Sequence, residues 1–268
     1  HVLRCFEDSS VTNTQNEVNP LADFDIIVTE LMLRDIDSVT KRRAKVGQLI
    51  KAAKQKPAEL KELEKESALL EQLEAALNAS DIKKVQQLAA ELNQKDLLLS
   101  SKNFLVIANI AEHELAGNAY LQNPHFKAVV AQFGAERVIP VSAKLEYELS
   151  QLSDADAAEM AAMMELAERG LANIIKKTYD HLGLITFFTC GPQEIHAWPI
   201  RKGIAVRPAA GEIHSDLERG FICAEVFNCE DLFAVGSEAK LKDTGKLRTE
   251  GQDYKVQDGD VIVVKFNV

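Results

Sequence analysis

The hydrophobic period changes along the chain, and the changes mark its elements. Val2-Leu3-Arg4-Cys5-Phe6 is a short, mainly apolar run that reads as a buried strand. No turn or cap precedes it, and an opening in mid-strand leads us to expect further sequence upstream. Asp8 to Asn19 is polar and loop-like. Asn19-Pro20 then signals a helix start, because proline in the first turn gives up an amide that would have no partner. Phe24, Ile27, Val28 and Leu31 follow helical spacing. The stripe continues through Met32, Ile36, Val39, Val46 and Ile50 in alternating steps of four and three, with Arg43 filling one slot. That is the pattern of a coiled-coil seam. Pro57 interrupts it, Leu60, Leu63, Leu70 and Leu77 form a second seam, and Ser80-Asp81 caps a third run with Ile82, Val85 and Leu92. Residues 37–98 are therefore expected to form a helical coiled-coil hairpin folded back on itself.

Strand texture returns at Phe104-Leu105-Val106-Ile107-Ala108-Asn109, a continuous apolar run that ends in a polar residue. Such a run fits an interior parallel strand whose carboxyl end reaches a functional edge. A helix is expected around His125 to Phe133, and Arg137-Val138-Ile139-Pro140-Val141-Ser142 repeats the strand design. Asp154 to Tyr179 reads as helical. Two strands separated by a helix are a fragment of a doubly wound α/β sheet. After Gly183 the chain becomes β-rich. Thr186 to Thr189 and Ile195 to Trp198 predict a hairpin across Gly191-Pro192. Tyr254 to Val256, Asp258-Gly259-Asp260 and Val261 to Phe266 predict a second strand–turn–strand, with a helix-like Ile213 to Gly220 between. This is a small β-grasp pattern.

Composition narrows the class. Lys and Arg total 31 against 41 Asp and Glu, a net charge of −10. That excludes a protein that coats nucleic acid over its whole surface. No apolar run approaches the ~20 residues that span a bilayer, and the first residues lack the basic flank and apolar core of a signal peptide. Cys5, Cys190, Cys223 and Cys229 form no C-x-x-C pair and read as reduced, mostly buried thiols of a cytosolic protein.

The candidate chemistry lies at two strand ends. Asn109-Ile110-Ala111-Glu112 follows one strand and Ser142-Ala143-Lys144 follows the next. Alone, N-x-x-E is a common loop cap and Ser142 a common strand-end turn. As a pair on neighbouring strands they outline a crevice for a planar base. In P-loop GTPases the matching elements are N-K-x-D and S-A-K, where the Asp accepts two guanine hydrogens and a backbone amide meets the guanine carbonyl. Here Glu112 is one methylene longer than Asp, which spoils that bidentate match, and Ile110 replaces the Lys as an apolar lid. Both changes weaken guanine selection and make adenine plausible.

With N-x-x-E in that setting, the chain resembles the YchF-type (Obg-like) ATPases of the P-loop GTPase superfamily. The likeness extends over the chain: His1 to Glu7 looks like the family strand after its second phosphate-sensing loop, and Val18-Asn19-Pro20 with Thr29-Glu30-Leu31 like the entry to its helical domain. Gly211 to Ile222 and Glu250 to Asp260 resemble the TGS signature. The resemblance implies a partial doubly wound P-loop NTPase domain (1–36 and 99–183), the inserted hairpin (37–98) and a C-terminal TGS β-grasp domain (184–268). It further implies an ATP-preferring, GTP-capable hydrolase, a base pocket of Asn109, Ile110, Glu112, Ser142 and Ala143, and a regulator of translation or stress response. A ribosome partner, a cytoplasmic location and a monomer follow from the same likeness. Two departures matter. G-x-x-x-x-G-K-S occurs nowhere in the chain, so Mg²⁺ is expected only with that segment, and whether the chain acts as an enzyme stays open. Where the family carries a His implicated in hydrolysis, this chain has Asn13; no catalytic residue is assigned.

Lys41, Arg42, Arg43, Lys45, Lys51, Lys54 and Lys56 crowd one helix with no acid among them. They form either a solvated face or a phosphate-backbone contact, with Arg42, Arg43 and Lys45 as candidates for ribosomal RNA. His196, Trp198 and His214 lack metal-ligand spacing and read as packing or turn residues. The rival to the hydrolase is a binding module in which the arm and the C-terminal domain recognise RNA or protein.

Overall fold

The Asn19-Pro20 signal starts a helix because Asn19 closes its end: Oδ1 accepts from the Ala22 amide at 3.1 Å. The computed structural model describes residues 1–8, 17–92, 97–166, 169–191 and 194–267. Helix α1 (Pro20–Ala52) runs for 33 residues and ends in a 3-10 turn, Ala53–Gln55. Pro57 then opens α2 (Pro57–Asn78), and Asp81 caps α3 (Ile82–Ala90) by accepting from the Lys84 amide at 3.1 Å. Met32, Val39 and Val46 of α1 are buried with Leu70, Leu73 and Leu77 of α2 and Val85 of α3. Each such side chain contributes roughly 1.5–3 kcal/mol on burial, so the seam holds the helices together. Leu60 and Leu63, nearer the tip, are only half-buried.

Asp35 lies inside this helical region with no exposed surface. Its carboxylate accepts from the Leu99 amide (2.7 Å), the Ser100 amide (2.8 Å) and the Ser100 hydroxyl (2.6 Å). A buried charge survives only when its lone pairs are filled, and here three donors fill them. The clasp ties α1 to the segment that leads into the sheet.

That sheet has three parallel strands in the order β1 (Val2–Arg4), β2 (Val106–Asn109), β3 (Val138–Val141). The register sets Arg4 beside Asn109 and Asn109 beside Val141, so all three carboxyl ends lie at one edge. After β2 come α4 (Glu112–Leu115), a 3-10 segment and α5 (Pro124–Phe133). After β3 come α6 (Ala143–Ser150) and α7 (Asp154–Met163). Leu3, Cys5, Val106, Ala108 and Ile110 pack with Phe126 and Val129 of α5 as one core. The long helix expected over 154–179 is two: α7 stops at Met163, Glu165 takes a positive φ of 54°, and α8 (Gly170–Leu182) begins anew.

The chain divides into two compact units, His1–Leu171 and Ala172–Val268. In the second, β4 (Leu184–Cys190) and β5 (Ile195–Arg201) pair antiparallel, as the hairpin pattern predicts; Pro192 of its turn lies outside the described residues. Next come α9 (Val206–Ile213), α10 (Ser215–Arg219), β6 (Phe221–Asn228), α11 (Cys229–Val235), α12 (Glu238–Asp243), β7 (Arg248–Glu250) and β8 (Asp260–Phe266). The mixed sheet runs β5-β4-β8-β6-β7. Two expectations change here. The helix-like segment at Ile213 to Gly220 starts earlier, at Val206, and breaks at His214, which caps α10 through Nδ1 on the Asp216 amide (3.1 Å). Tyr254 to Val256 does not pair with β8 as a hairpin; β6 is the antiparallel partner of β8. Instead the segment is held side-on: Lys255 bridges to Ala205, and buried Asp260 accepts from the Tyr254 hydroxyl (2.8 Å) and the Gln257 amide (2.9 Å). Burial and that carboxylate together push the Tyr254 phenol above its usual range.

Candidate functional site

The two sequence-predicted loops meet. Asn109 ends β2, and its Oδ1 accepts a hydrogen bond from the Ala143 amide at 3.0 Å, across 34 residues of sequence. The backbone repeats the link one residue on, where the Ile110 amide donates to the Val141 carbonyl at 2.9 Å. Nδ2 of Asn109 makes no hydrogen bond among the described residues. Ser142 is almost wholly buried and caps α6, its Oγ accepting from the Leu145 amide at 3.4 Å. Glu112 opens α4, and one oxygen of its carboxylate pairs with Lys144 Nζ at 3.0 Å. Lys144 also lies 3.7 Å from Glu148, and hydrogen bonding and charge from Glu112, with Glu148 adding to them, raise its ammonium above the usual range.

Asn109, Ile110, Glu112, Ser142 and Lys144 line a cleft of about 520 Å³ at the carboxyl edge of the parallel sheet, joined by Phe6, Glu7, Asp8, Ala111, His113 and Met164. Ala143, expected in the pocket, is not part of the lining and meets it only through the bond of its amide to Asn109. The volume suits a small molecule. Ile110 departs from its expected role. Its side chain is 1% exposed and packs with Leu3, Cys5 and Phe126, so it forms the core-side wall and is no lid. The reason is the pleat: a residue directly after an interior strand continues its in–out alternation.

Behind the cleft stands a hub that sequence reading missed. Asn123, 8% exposed, donates through Nδ2 to the Cys5 carbonyl and to Glu114 Oε1, both at 2.8 Å. Its Oδ1 accepts from the amides of His125 (2.8 Å) and Phe126 (3.0 Å), capping α5. Glu114 in turn accepts from the Ala111 amide at 3.1 Å through Oε2. One side chain thus joins the end of β1, the turn carrying Glu112 and the start of α5. Asn123-Pro124 repeats the Asn19-Pro20 pattern, and that was the available signal. Burial and then the charge of Glu114 push the adjacent Cys5 thiol up to about 12, so it stays protonated. The four cysteines are free thiols, but the burial expected of them holds only for Cys5: Cys190, at the end of β4, is exposed, and Cys223 and Cys229 are half-buried.

The basic helix is less available than its composition implies. Arg42 pairs with Glu66 at 2.6 Å, and Arg43 pairs with Glu74; both arginines are partly buried between α1 and α2. Lys41, Lys45, Lys51, Lys54 and Lys56 are exposed. Asn13 lies outside the described residues. Among the described residues no group of three or more His, Cys, Asp or Glu could hold a metal ion, and no helix is long and apolar enough to cross a membrane.

Comparison with known proteins agrees along the whole chain. The family model YchF-GTPase_C, described as a protein of unknown function (DUF933), matches residues 184–267. A ribosome-binding ATPase YchF of Bacillus subtilis is 40% identical over all of this chain and 72% of that protein. An Obg-like ATPase 1 of Oryza sativa subsp. japonica is 38% identical, again over all of this chain and 67% of that protein. Among solved structures, the YchF GTPase of Schizosaccharomyces pombe superposes with a TM-score of 0.74 at 28% identity, covering 98% of this chain and 71% of that one. The paired N-x-x-E and S-A-K loops thus sit in a mixed α/β fold shared with these proteins, and the chain belongs to the YchF family.

Proposed function

We propose that the cleft holds the purine base of a nucleoside triphosphate and prefers adenine, and that the protein is a YchF-type ATPase that also accepts GTP. The observation that carries this reading is the Asn109 Oδ1 to Ala143 amide bond. It supports the reading in two ways. It occupies the amide that would otherwise greet the guanine carbonyl, and it leaves the Asn109 Nδ2 donor for a ring nitrogen that both purines present. Glu112, with one oxygen on Lys144, keeps its other oxygen clear of that ammonium for the base. One acceptor matches a lone amino group better than guanine's adjacent pair of donors. Ser142 shapes the wall by capping α6, and Ile110 closes it from the core. The donor set therefore fits a base. It offers no phosphate cradle, because the chain carries no G-x-x-x-x-G-K-S; that segment, with Mg²⁺, would bring the hydrolytic chemistry.

Titration of the full-length protein with ribose-labelled fluorescent ATP and GTP, Mg²⁺ present, tests this. Micromolar binding with ATP ahead of GTP is the expected result, and Asn109→Ala should weaken both by about tenfold or more, because it removes both the inter-loop hydrogen bond and the Nδ2 donor. Absence of binding, or unchanged binding in Asn109→Ala, would refute it.

The wider assignment rests on the same family. Residues 1–36 and 99–183 form the nucleotide-binding domain, 37–98 an inserted coiled-coil hairpin and 184–268 a TGS β-grasp domain. The protein is a cytoplasmic monomer that regulates translation or stress response on the ribosome, and the C-terminal domain receives protein partners. The exposed lysines of α1 support an RNA-facing arm. Because Arg42 and Arg43 are neutralised within the hairpin, Lys45 with Lys41 and Lys51 carries the contact. Substituting those three lysines by Gln should weaken ribosome co-sedimentation and lower its salt slope by up to about two to three units, since each phosphate contact contributes roughly 0.7–0.9. Unaltered co-sedimentation with an unaltered slope would leave the binding to another surface.

A further inference from the structure

Lys144 belongs to the cleft wall. Lys144 is the second residue of α6 and Glu112 the first of α4, so the two side chains reach toward each other from the two loops that the Asn109–Ala143 bond joins. Nζ meets Glu112 Oε2 at 3.0 Å and Glu148 Oε1 at 3.7 Å. The lysine side chain is 72% exposed and Glu112 31%, so the ammonium approaches from the solvent side while the carboxylate is partly sheltered. A guanine-reading carboxylate must present both oxygens to two adjacent N–H donors. With Oε2 on Lys144, Oε1 is the oxygen of Glu112 left without this partner, and the ammonium beside Oε2 disfavours a second N–H donor there.

We propose that Lys144 is a specificity-determining positioning residue: by holding one oxygen of Glu112, it keeps the site from reading guanine and sets its preference for adenine. This rests on the nucleotide reading of the cleft. It assigns the selectivity to an ion pair between the two loops and not to the extra methylene of Glu112 alone. Two consequences follow. Removing the charge while keeping an apolar stem, as in Lys144→Met, releases Oε2 and gives Glu112 a second acceptor. Replacing it by arginine preserves the pairing, since a guanidinium also donates to a carboxylate.

The test is the ratio of Kd for ribose-labelled ATP and GTP, with Mg²⁺, measured on the full-length protein and on Lys144→Met, Lys144→Arg and the double variant Lys144→Met/Glu112→Gln. In Lys144→Met the ratio should move toward GTP by about tenfold, the worth of one further hydrogen bond to a charged group. Lys144→Arg should keep the original preference, and the double variant should lose the gain, because an amide offers one acceptor. Thermal midpoints report any general structural damage, which would weaken both nucleotides together and leave the ratio in place. An unchanged ratio in Lys144→Met overturns the assignment of Lys144 while leaving nucleotide binding intact. Failure of the unsubstituted protein to bind either nucleotide overturns the reading of the cleft and this inference with it.

Discussion

Asp35→Ala should lower the stability of the first unit by about 2–4 kcal/mol, measured as a shift in the urea midpoint of the far-ultraviolet circular dichroism signal. The carboxylate is wholly buried and accepts from two amides and a hydroxyl, all within 2.8 Å. Alanine leaves those three donors without acceptors in a site that water does not reach. Each unsatisfied group costs roughly 1–3 kcal/mol. The sum is reduced because the substitution also relieves the cost of burying a charge. Asp35→Asn separates these effects. It keeps the shape and one acceptor oxygen but turns an NH₂ toward one of the donors, so about half of the loss should remain. A shift below about 0.5 kcal/mol for Asp35→Ala would show that Leu99 and Ser100 find other partners, and that the clasp does not anchor α1.

Asn123→Ala is expected to cost about 2–3 kcal/mol and to disturb the cleft as well as the fold. Four hydrogen bonds disappear at once, two made by Nδ2 and two accepted by Oδ1. The lost cap alone is worth roughly 1 kcal/mol, and the orphaned Cys5 carbonyl and Glu114 carboxylate add to it. The second readout is Cys5. In the native protein its thiol is fully buried and protonated, whereas Cys190 is exposed. A thiol reagent should therefore label Cys190 quickly and Cys5 only through opening of the fold. In Asn123→Ala, labelling at Cys5 should accelerate by at least tenfold while Cys190 is unaffected. Equal rates at Cys5 in both proteins would mean that the hub is dispensable. Asn123→Asp makes a further control: it retains the α5 cap but sets a second carboxylate against Glu114, and so should rescue only the cap.

Much of the first unit was legible from local pattern. Helix starts at Asn19-Pro20 and Ser80-Asp81 depend on side chains that bond amides within a few residues, so their chemistry is written in consecutive letters. The buried stripe of Met32, Val39, Val46, Leu70 and Leu77 was readable for the same reason, because helical spacing places those residues on one face whatever the rest of the chain does. The strand ends at Asn109 and Val141 were visible as apolar runs that terminate in polar residues. Together with the N-x-x-E and S-A-K spacing, they marked the two loops as candidates for a site.

What needed tertiary structure depended on partners far along the chain. The donors around Asp35 are 64 and 65 residues away, and an aspartate inside a helical stripe looks like a solvated one until Leu99 and Ser100 are seen against it. Arg42 and Arg43 likewise read as free positive charge until α2 brings Glu66 and Glu74 beside them. In the second unit the antiparallel partner of β8 is β6, some 40 residues upstream, and not the Tyr254 segment beside it. Local pattern names strands but not their pairings, since any two strands of alternating period can share a ladder. The same limit applies at the cleft. The sequence by itself determined that Asn109, Glu112, Ser142 and Ala143 stand at two strand ends. Only the parallel register of β1, β2 and β3 decided that those ends share one edge, that Ile110 turns inward to the core, and that Lys144 reaches Glu112. Local chemistry is fixed by covalent neighbours, whereas these contacts exist only once the sheet has closed the long loops between them.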